Sequence, residues 1–439
     1  MRDELEPEPG AGSTPGDAAS YARRVESEGD HMPASVRRRA ALAGALAAAL
    51  PRRVHAQPRP PTRPLRLGVL TTLSGPAADG AGSGSVLAAR MAVEDAGRAG
   101  WLDRPAEVLS ADMGDRPDVG AALARAWFDR DGVDAVLDVP HSAVALAVAT
   151  VARERDRVAL FSGAGTAALS GAQCGPNHLQ WTYTTGALAA GTAAAVLAEG
   201  GRSWFFLTAD YAFGHTLQRD ATATVEAGGG RVLGSVAFPG EVADFSPLLL
   251  RARASGAEVI GLACTGAPFE TLVKQAAEFG IARGGQRLAA LLCLVTNVHA
   301  IGLADAQGLL VTAPFYWDLD AGTRAFAARF MPRNRGIAPT LVHAGVYSAT
   351  THLLRAAGGA DPANGAALIA RMRALPAEDP LFGRSTIRPN GAVAHPMHLF
   401  RVKSPGESRG PWDYYRPLRT IPAEQAFSSP AASGCLLAG

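Results

Sequence analysis

Over residues 65–99 the chain passes from an apolar run, LRLGVL, through a loop of small residues into apolar positions at helical spacing. The run reads as a buried parallel strand at 65–70, because apolar residues dominate it and the turn signal Ser74-Gly75-Pro76 soon follows. A helix is expected from near Ser85, its N-cap, with Val86, Ala89, Val93 and Ala96 on one face. The intervening GAGSGS, residues 80–85, is small enough to let backbone N–H groups approach a bound molecule. In open parallel sheets, ligands sit outside the carboxyl ends of the strands, where such loops lie.

The unit then recurs. Apolar runs at 106–112, 134–139 and 157–162 alternate with helical patterns at 119–130 and 142–155. After Trp181-Thr182-Tyr183 a second series begins, with helices at 186–199, 214–227, 245–255 and 268–279 and strands at 203–208, 231–238, 258–264 and 288–295. Such alternation specifies parallel sheets with helices on both faces. At 439 residues the chain is too long for one ordinary core, so two α/β lobes in tandem are expected. Helices at 323–329, 341–357 and 364–375 and hairpin-like strands near 385–387 and 398–402 complete the pattern.

Residues 1–31, rich in Pro, Gly, Glu and Asp, read as disordered or as an extension upstream of the better start, Met32. Arg37, Arg38 and Arg39, the apolar run 40–50 and Val54-His55-Ala56 together form a secretory signal peptide over 32–56, with a twin-arginine route open. The run is too short to span a bilayer, which takes about 20 apolar residues. The mature chain then starts at Gln57 with a linker over 57–64 and is expected to be soluble and exported. A formal charge of +2 without a clustered basic face gives no case for a nucleic-acid partner, and none is expected. The four cysteines lack CxxC spacing, and neither metal nor cofactor is expected. Cys264 and Cys293 lie in apolar runs and read as buried thiols, whereas Cys174 and Cys435 are free to pair in an oxidising compartment.

The signal peptide followed in order by LRLGVLTTLSGPAADGAGSGSVLAARMAVEDAG, WFFLTADYAFGHTLQRD, LVKQAAEFGI, FYWDLD and VHAGVYSATTHLLRAA resembles the type I periplasmic solute-binding proteins of ATP-binding-cassette (ABC) importers. Within them it resembles the leucine/isoleucine/valine-binding group, over residues 65–439. The resemblance implies two Rossmann-like lobes with central parallel sheets joined by a three-strand hinge, crossed near Thr182, Phe315 and Arg384. Lobe 1 would comprise 65–182 and 316–383, and lobe 2 would comprise 183–315 and 384–439. It also implies a small-molecule ligand in the interlobe cleft, hinge closure of the kind for which periplasmic binding proteins are a standard example, and a membrane permease as partner for a monomeric binding protein.

Candidate ligand contacts follow from the strand ends. Ser142, and Ser162, Gly163 and Thr166, stand where strands give way to helices, so hydroxyls and free N–H groups converge there as a carboxylate requires. In the resembled family these two loops hold the amino acid's carboxylate; the same residues also serve as ordinary helix caps. Tyr211 and Phe213 match the stretch that lays an aromatic ring over the ligand, although aromatics are mostly packing residues. Thr265 ends its strand toward the cleft, Ser74 lies in the first loop, and Asp318 adjoins the second crossing, where a hinge role competes. Relatives that bind amino acids place an acid against the ammonium in the loop after the strand at 291–295; here that position reads Thr296-Asn297. Asp79, Asp112 or Asp318 would have to replace it, Asp79 first. Otherwise the ligand lacks an ammonium and is an amide, a short or aromatic carboxylate, or an alcohol-derived acid.

Enzyme motifs are missing: residues 80–85 give GxGxG rather than GxGxxG, and no GxxxxGK or HExxH occurs. The expected function is the non-catalytic binding component of an ABC importer. The alternatives are a ligand sensor of the same fold or, third, a secreted hydrolase.

Overall fold

The computed structural model describes residues 63–75, 78–240 and 242–438, so the expected extension, signal peptide and most of the linker lie outside the described residues. In the first lobe, β1 (Leu65–Thr71), β2 (Ala106–Asp112), β3 (Ala135–Asp138), β4 (Val158–Phe161) and β5 (His178–Gln180) form a parallel sheet in the order β2-β1-β3-β4-β5. The apolar run at 65–70 is interior to this sheet, with Leu67 paired to Val108 on one side and Ala135 on the other. Helices α1 (Gly82–Ala99), α2 (Pro117–Asp129) and α3 (Ser142–Glu154) connect the strands. β5, with the sequence HLQ, is too short and polar to be read from periodicity. It is nonetheless buried, because the Gln180 amide donates to Ala164 O and Thr166 O, both at 3.1 Å, and accepts from Ser170 Oγ at 2.8 Å.

The second lobe repeats the plan. After α4 (Thr185–Ala198), β6 (Ser203–Ala209), α5 (Ala212–Ala227), β7 (Arg231–Phe238), α6 (Ser246–Ala254), β8 (Val259–Ala263), α7 (Ala267–Glu278) and β9 (Arg287–Ala290) build a parallel sheet in the order β7-β6-β8-β9. The short helices α8 (Val295–Ile301) and α9 (Leu303–Ala306) lead to β10 (Leu310–Ala313). The chain then returns to the first lobe as α10 (Ala321–Phe330), α11 (Leu341–Ala357) and α12 (Gly365–Ala374), with α11 packed along α1. An antiparallel set, β11 (Ala377–Asp379), β12 (Gly383–Ile387) and β13 (Val393–Ala394), follows. Last come β14 (Met397–Val402), placed between β10 and β15 (Tyr415–Ile421), and α13 (Ala423–Ala426), which packs on α4.

Several local expectations need correction. α1 begins at Gly82, with Ala81 as N-cap, and Ser85 is a buried residue inside the helix. The glycine-rich stretch before it faces α11 rather than open space: Thr340 Oγ1 donates to Gly80 O at 2.7 Å, His343 Nε2 meets Ala81 O at 2.8 Å, and a Cβ at Gly84 would fall 2.4 Å from the His343 ring. Its small residues therefore let two helices approach closely. The strand expected at 288–295 ends at Ala290; Leu291, Leu292 and Cys293 are buried outside any strand, and Val295 already opens α8. A continuous apolar run cannot mark where a strand stops when the next segment is equally buried. Arg384 lies within the β11–β12 hairpin, next to Glu378, and the polypeptide joins the β10–β15 sheet only at Met397. Cys174 and Cys435 are disulfide-bonded with Cα atoms 5.7 Å apart, while Cys264 and Cys293 are free and buried.

Candidate functional site

The carboxyl ends of β3 and β4 turn into polar segments that meet the second lobe. After β3, Pro140 and His141 lead into α3, whose first residue is Ser142. After β4, residues 162–166 lead into a single helical turn capped by Thr166, whose Oγ1 accepts from Ala168 N at 3.4 Å. Thr166 N donates to Ser142 Oγ at 3.3 Å, which ties the two loops together. Ser142, Ser162 and Thr166 are all buried, and Ser162 Oγ has no hydrogen-bond partner among the described residues. Gly163 leaves no room for a Cβ, since Pro140 would lie within 2.6 Å of one, and its carbonyl accepts from Tyr183 Oη at 2.5 Å.

From the second lobe, Tyr211 stands at the N-cap of α5 and stacks on His141, with ring centroids 4.9 Å apart and planes inclined by 19°. Phe213 sits on the Gly165 backbone: a Cβ there would fall 2.9 Å from Phe213 and 2.5 Å from Tyr183. Burial holds the His141 imidazole below its usual range despite the nearby Asp115 carboxylate, so the ring facing Tyr211 is neutral near pH 7. Burial also pushes the Tyr211 phenol up, and Cys264, the residue before Thr265, is close enough to act on it electrostatically. The arrangement presents hydroxyls, a helix N-terminus and neutral aromatic rings, which suits an anionic group attached to an apolar body.

Six expected residues, Ser142, Ser162, Gly163, Thr166, Tyr211 and Phe213, thus share one region, with Thr265 half-buried at the end of β8 beside it. The others have different surroundings. Ser74 is exposed and donates to Asp112 Oδ2 at 2.7 Å. Asp79 is exposed and paired with Arg335 at 3.2 Å. Asp318 gives one oxygen to Arg324 at 3.1 Å and the other to Arg409 at 2.8 Å. Among the described residues no group of three or more His, Cys, Asp or Glu side chains could hold a metal ion, and no helix is long and apolar enough to cross a membrane.

The sequence matches the family model described as "Periplasmic binding protein" over residues 64–408. The chain belongs to this periplasmic binding protein family. A periplasmic binding protein from Burkholderia mallei shares 39% identity with a TM-score of 0.82, covering 85% of this chain and 99% of that one. A branched chain amino acid ABC transporter periplasmic ligand-binding protein from Burkholderia xenovorans LB400 shares 36% identity with a TM-score of 0.77, covering 85% and 100%. A solute-binding protein of an ABC transporter from R. palustris, solved with benzoate, has the same fold at 21% identity and a TM-score of 0.72, covering 85% and 100%. No curated protein matches the sequence significantly. This periplasmic binding protein is accordingly a substrate-binding component for a small solute.

The periplasmic binding protein also carries polar groups outside the set of expected contacts. His141, one residue before Ser142, supplies a ring to the stack. Asn297 lies in the first turn of α8 rather than in a loop; its Oδ1 accepts from Leu294 N and its Nδ2 donates to Glu270 Oε1, both at 2.8 Å. Glu270, in the first turn of α7, is half-buried, and burial holds its carboxyl above the usual range with a further contribution from the Asp79 charge across the lobes. An acid is therefore present in the second lobe, on α7 rather than in the segment after β9. Its signal in the sequence is a Glu at the start of the helix after β8.

Proposed function

We propose that the solute is a small monocarboxylate with a flat or branched apolar body, held between the lobes and handed to the permease of an ABC importer without chemical change. The observation that carries this reading is the His141–Tyr211 stack beside Ser142 and Thr166. A carboxylate would take the hydroxyls of Ser142, Ser162 and Thr166 and the N–H groups opening α3, as anions do at helix N-termini. The apolar body would lie against Tyr211, Phe213 and His141, with Thr265 at its edge. An α-amino acid is the second reading, favoured by Glu270, which together with Asp79 offers negative charge to an ammonium.

Export by cleavage after Ala56, through a general or twin-arginine route, accounts for a periplasmic address, and the protein would act as a monomer. The lobes are read as 65–182 with 316–394 and 183–315 with 397–438; the final boundary moves from 383 because β12 pairs with β11 and β13. Isothermal titration of the purified protein with benzoate and with leucine, followed by chromatography of the solute, tests the reading. It predicts stoichiometric binding of at least one of them and recovery of the solute intact; loss of the solute or appearance of a product would contradict it.

A further inference from the structure

The end of β3 holds a carboxyl group that the proposed site does not use. Asp138 is fully buried, and among the described residues no arginine or lysine acts on it. Thr71 Oγ1, from the end of β1, donates to Asp138 Oδ2 at 2.8 Å and accepts the amide of Gly82, the first residue of α1, at 3.1 Å. Asp138 Oδ1 makes no well-formed hydrogen bond and faces Gly163, where a Cβ would stand 3.2 Å away. The backbone is strained at the same point: Asp138 has φ +77° and the next residue, Val139, has φ +52°, a region that a branched side chain rarely enters. The carboxyl thus lies where three segments meet: the loop after β1, the turn that starts α3, and the loop 162–166 after β4.

We propose that Asp138 is a positioning residue of the solute site, a buried carboxyl without a cationic partner that joins these three segments and governs how firmly they hold a bound carboxylate. The inference rests on the carboxylate reading given above. A lone negative charge in such surroundings is costly, and burial pushes the Asp138 carboxyl up to about 7 even though the Thr71 and Ser85 hydroxyls favour its charged form. The groups facing it are Thr71 from β1, Ser85 from α1, the Gly163 backbone from the β4 loop and the Tyr183 phenol, which Asp138 in turn raises. His141 and Asp115 are the titratable groups of the adjoining turns, Asp115 accepting from Thr72 Oγ1 at 2.7 Å. Once ionised, Asp138 places a like charge beneath the loop that carries Ser162 and Thr166.

The test compares wild type with Asp138→Asn, which keeps the shape and cannot ionise. Benzoate and leucine are titrated calorimetrically from pH 5.5 to 9, where both keep their carboxylate charge. Wild-type affinity for the probe that binds should fall above about pH 7, by up to tenfold per pH unit for one linked proton. Asp138→Asn should match wild type at pH 5.5 within about threefold and lack the additional fall above pH 7. Because His141 titrates in both proteins, only the difference between the profiles reports Asp138, and parallel profiles would overturn the proposal. Amide exchange of residues 162–166 without solute separates this inference from the carboxylate reading. If neither probe binds, that reading fails. The positioning role still predicts that protection of this segment drops between pH 6 and 8.5 in wild type alone, and equal protection in both proteins refutes it.

Discussion

Replacing Cys435 by Ser should cost the protein several kcal/mol, for a reason that lies in the connectivity. β15 ends at Ile421 in the second-lobe sheet, α13 packs on α4, and Arg388 Nη1 then holds Phe427 O at 3.1 Å and Ser428 O at 2.6 Å. Beyond this point the tail is bonded through Cys435 to Cys174, which follows the helical turn after β4 in the first lobe. The tail therefore straps the chain beyond β15 covalently to the segment that follows β4. The bridge spans 261 residues, and the chain-entropy relation gives roughly 5.5 kcal/mol for closing a loop of that length in the unfolded chain. Measured disulfides usually deliver less, so a loss of about 3–5 kcal/mol is expected. Urea unfolding of wild type and Cys435→Ser, each followed by tryptophan fluorescence, would measure it; Cys264 and Cys293 are buried and should not interfere. A loss below about 1 kcal/mol would show that the strap does not restrain the unfolded chain and would refute the reasoning.

Three further outcomes are expected. The Asp138 carboxyl, near 7 in the folded protein against an ordinary 3.8, contributes stability that is full below pH 3.8 and is lost as pH rises through 7. At about 1.4 kcal/mol per pH unit, the interval between those two values is worth about 4 kcal/mol, so the gap in unfolding free energy between Asp138→Asn and wild type should widen in favour of the variant by about 3 kcal/mol from pH 5 to 8. His343 has the opposite sign: held near 4 by burial, between Thr340 N and Ala81 O, it must stay neutral. Its contribution is present above pH 6.5 and falls by about 3 kcal/mol as pH drops to 4, a slope that urea melts should find missing in His343→Gln. Gly165→Ala should weaken solute binding by more than about tenfold while lowering unfolding free energy by about 1–3 kcal/mol, the usual cost of overpacking, because its methyl displaces Phe213 and Tyr183; unchanged calorimetric affinity would count against Phe213 as a wall of the site.

Much of the architecture is written in periodicity. The strand at 231–238 and the helix at 341–357 coincide with β7 and α11, since alternation in one and a long apolar stripe in the other leave little choice. Where burial is complete on every side, periodicity carries no boundary, and the apolar pattern of β9 runs on without a break to the start of α8. Polar strands such as β5 escape notice because their burial depends on one distant amide network around Gln180. The site shows the same division. Ser142 and Thr166 stand out as hydroxyl residues at helix starts after strands, and the fold brings them into hydrogen-bonding contact. Glu270 and Asp138 look like any surface acid in the sequence; only the fold buries one beside Asn297 and the other beneath Gly163. Gly84 looks like part of a ligand loop but serves helix contact, because a small residue signals close approach without saying to what.

The most direct test of the central claim is calorimetric titration of Tyr211→Ala and Ser142→Ala against wild type, using benzoate and leucine. The account predicts one site per chain in wild type. It predicts weakening by at least about tenfold in each variant, with the fold retained, because one removes the ring over the solute and the other a hydroxyl on its carboxylate. Wild-type affinity in both variants would contradict it and move the solute away from the His141–Tyr211 region.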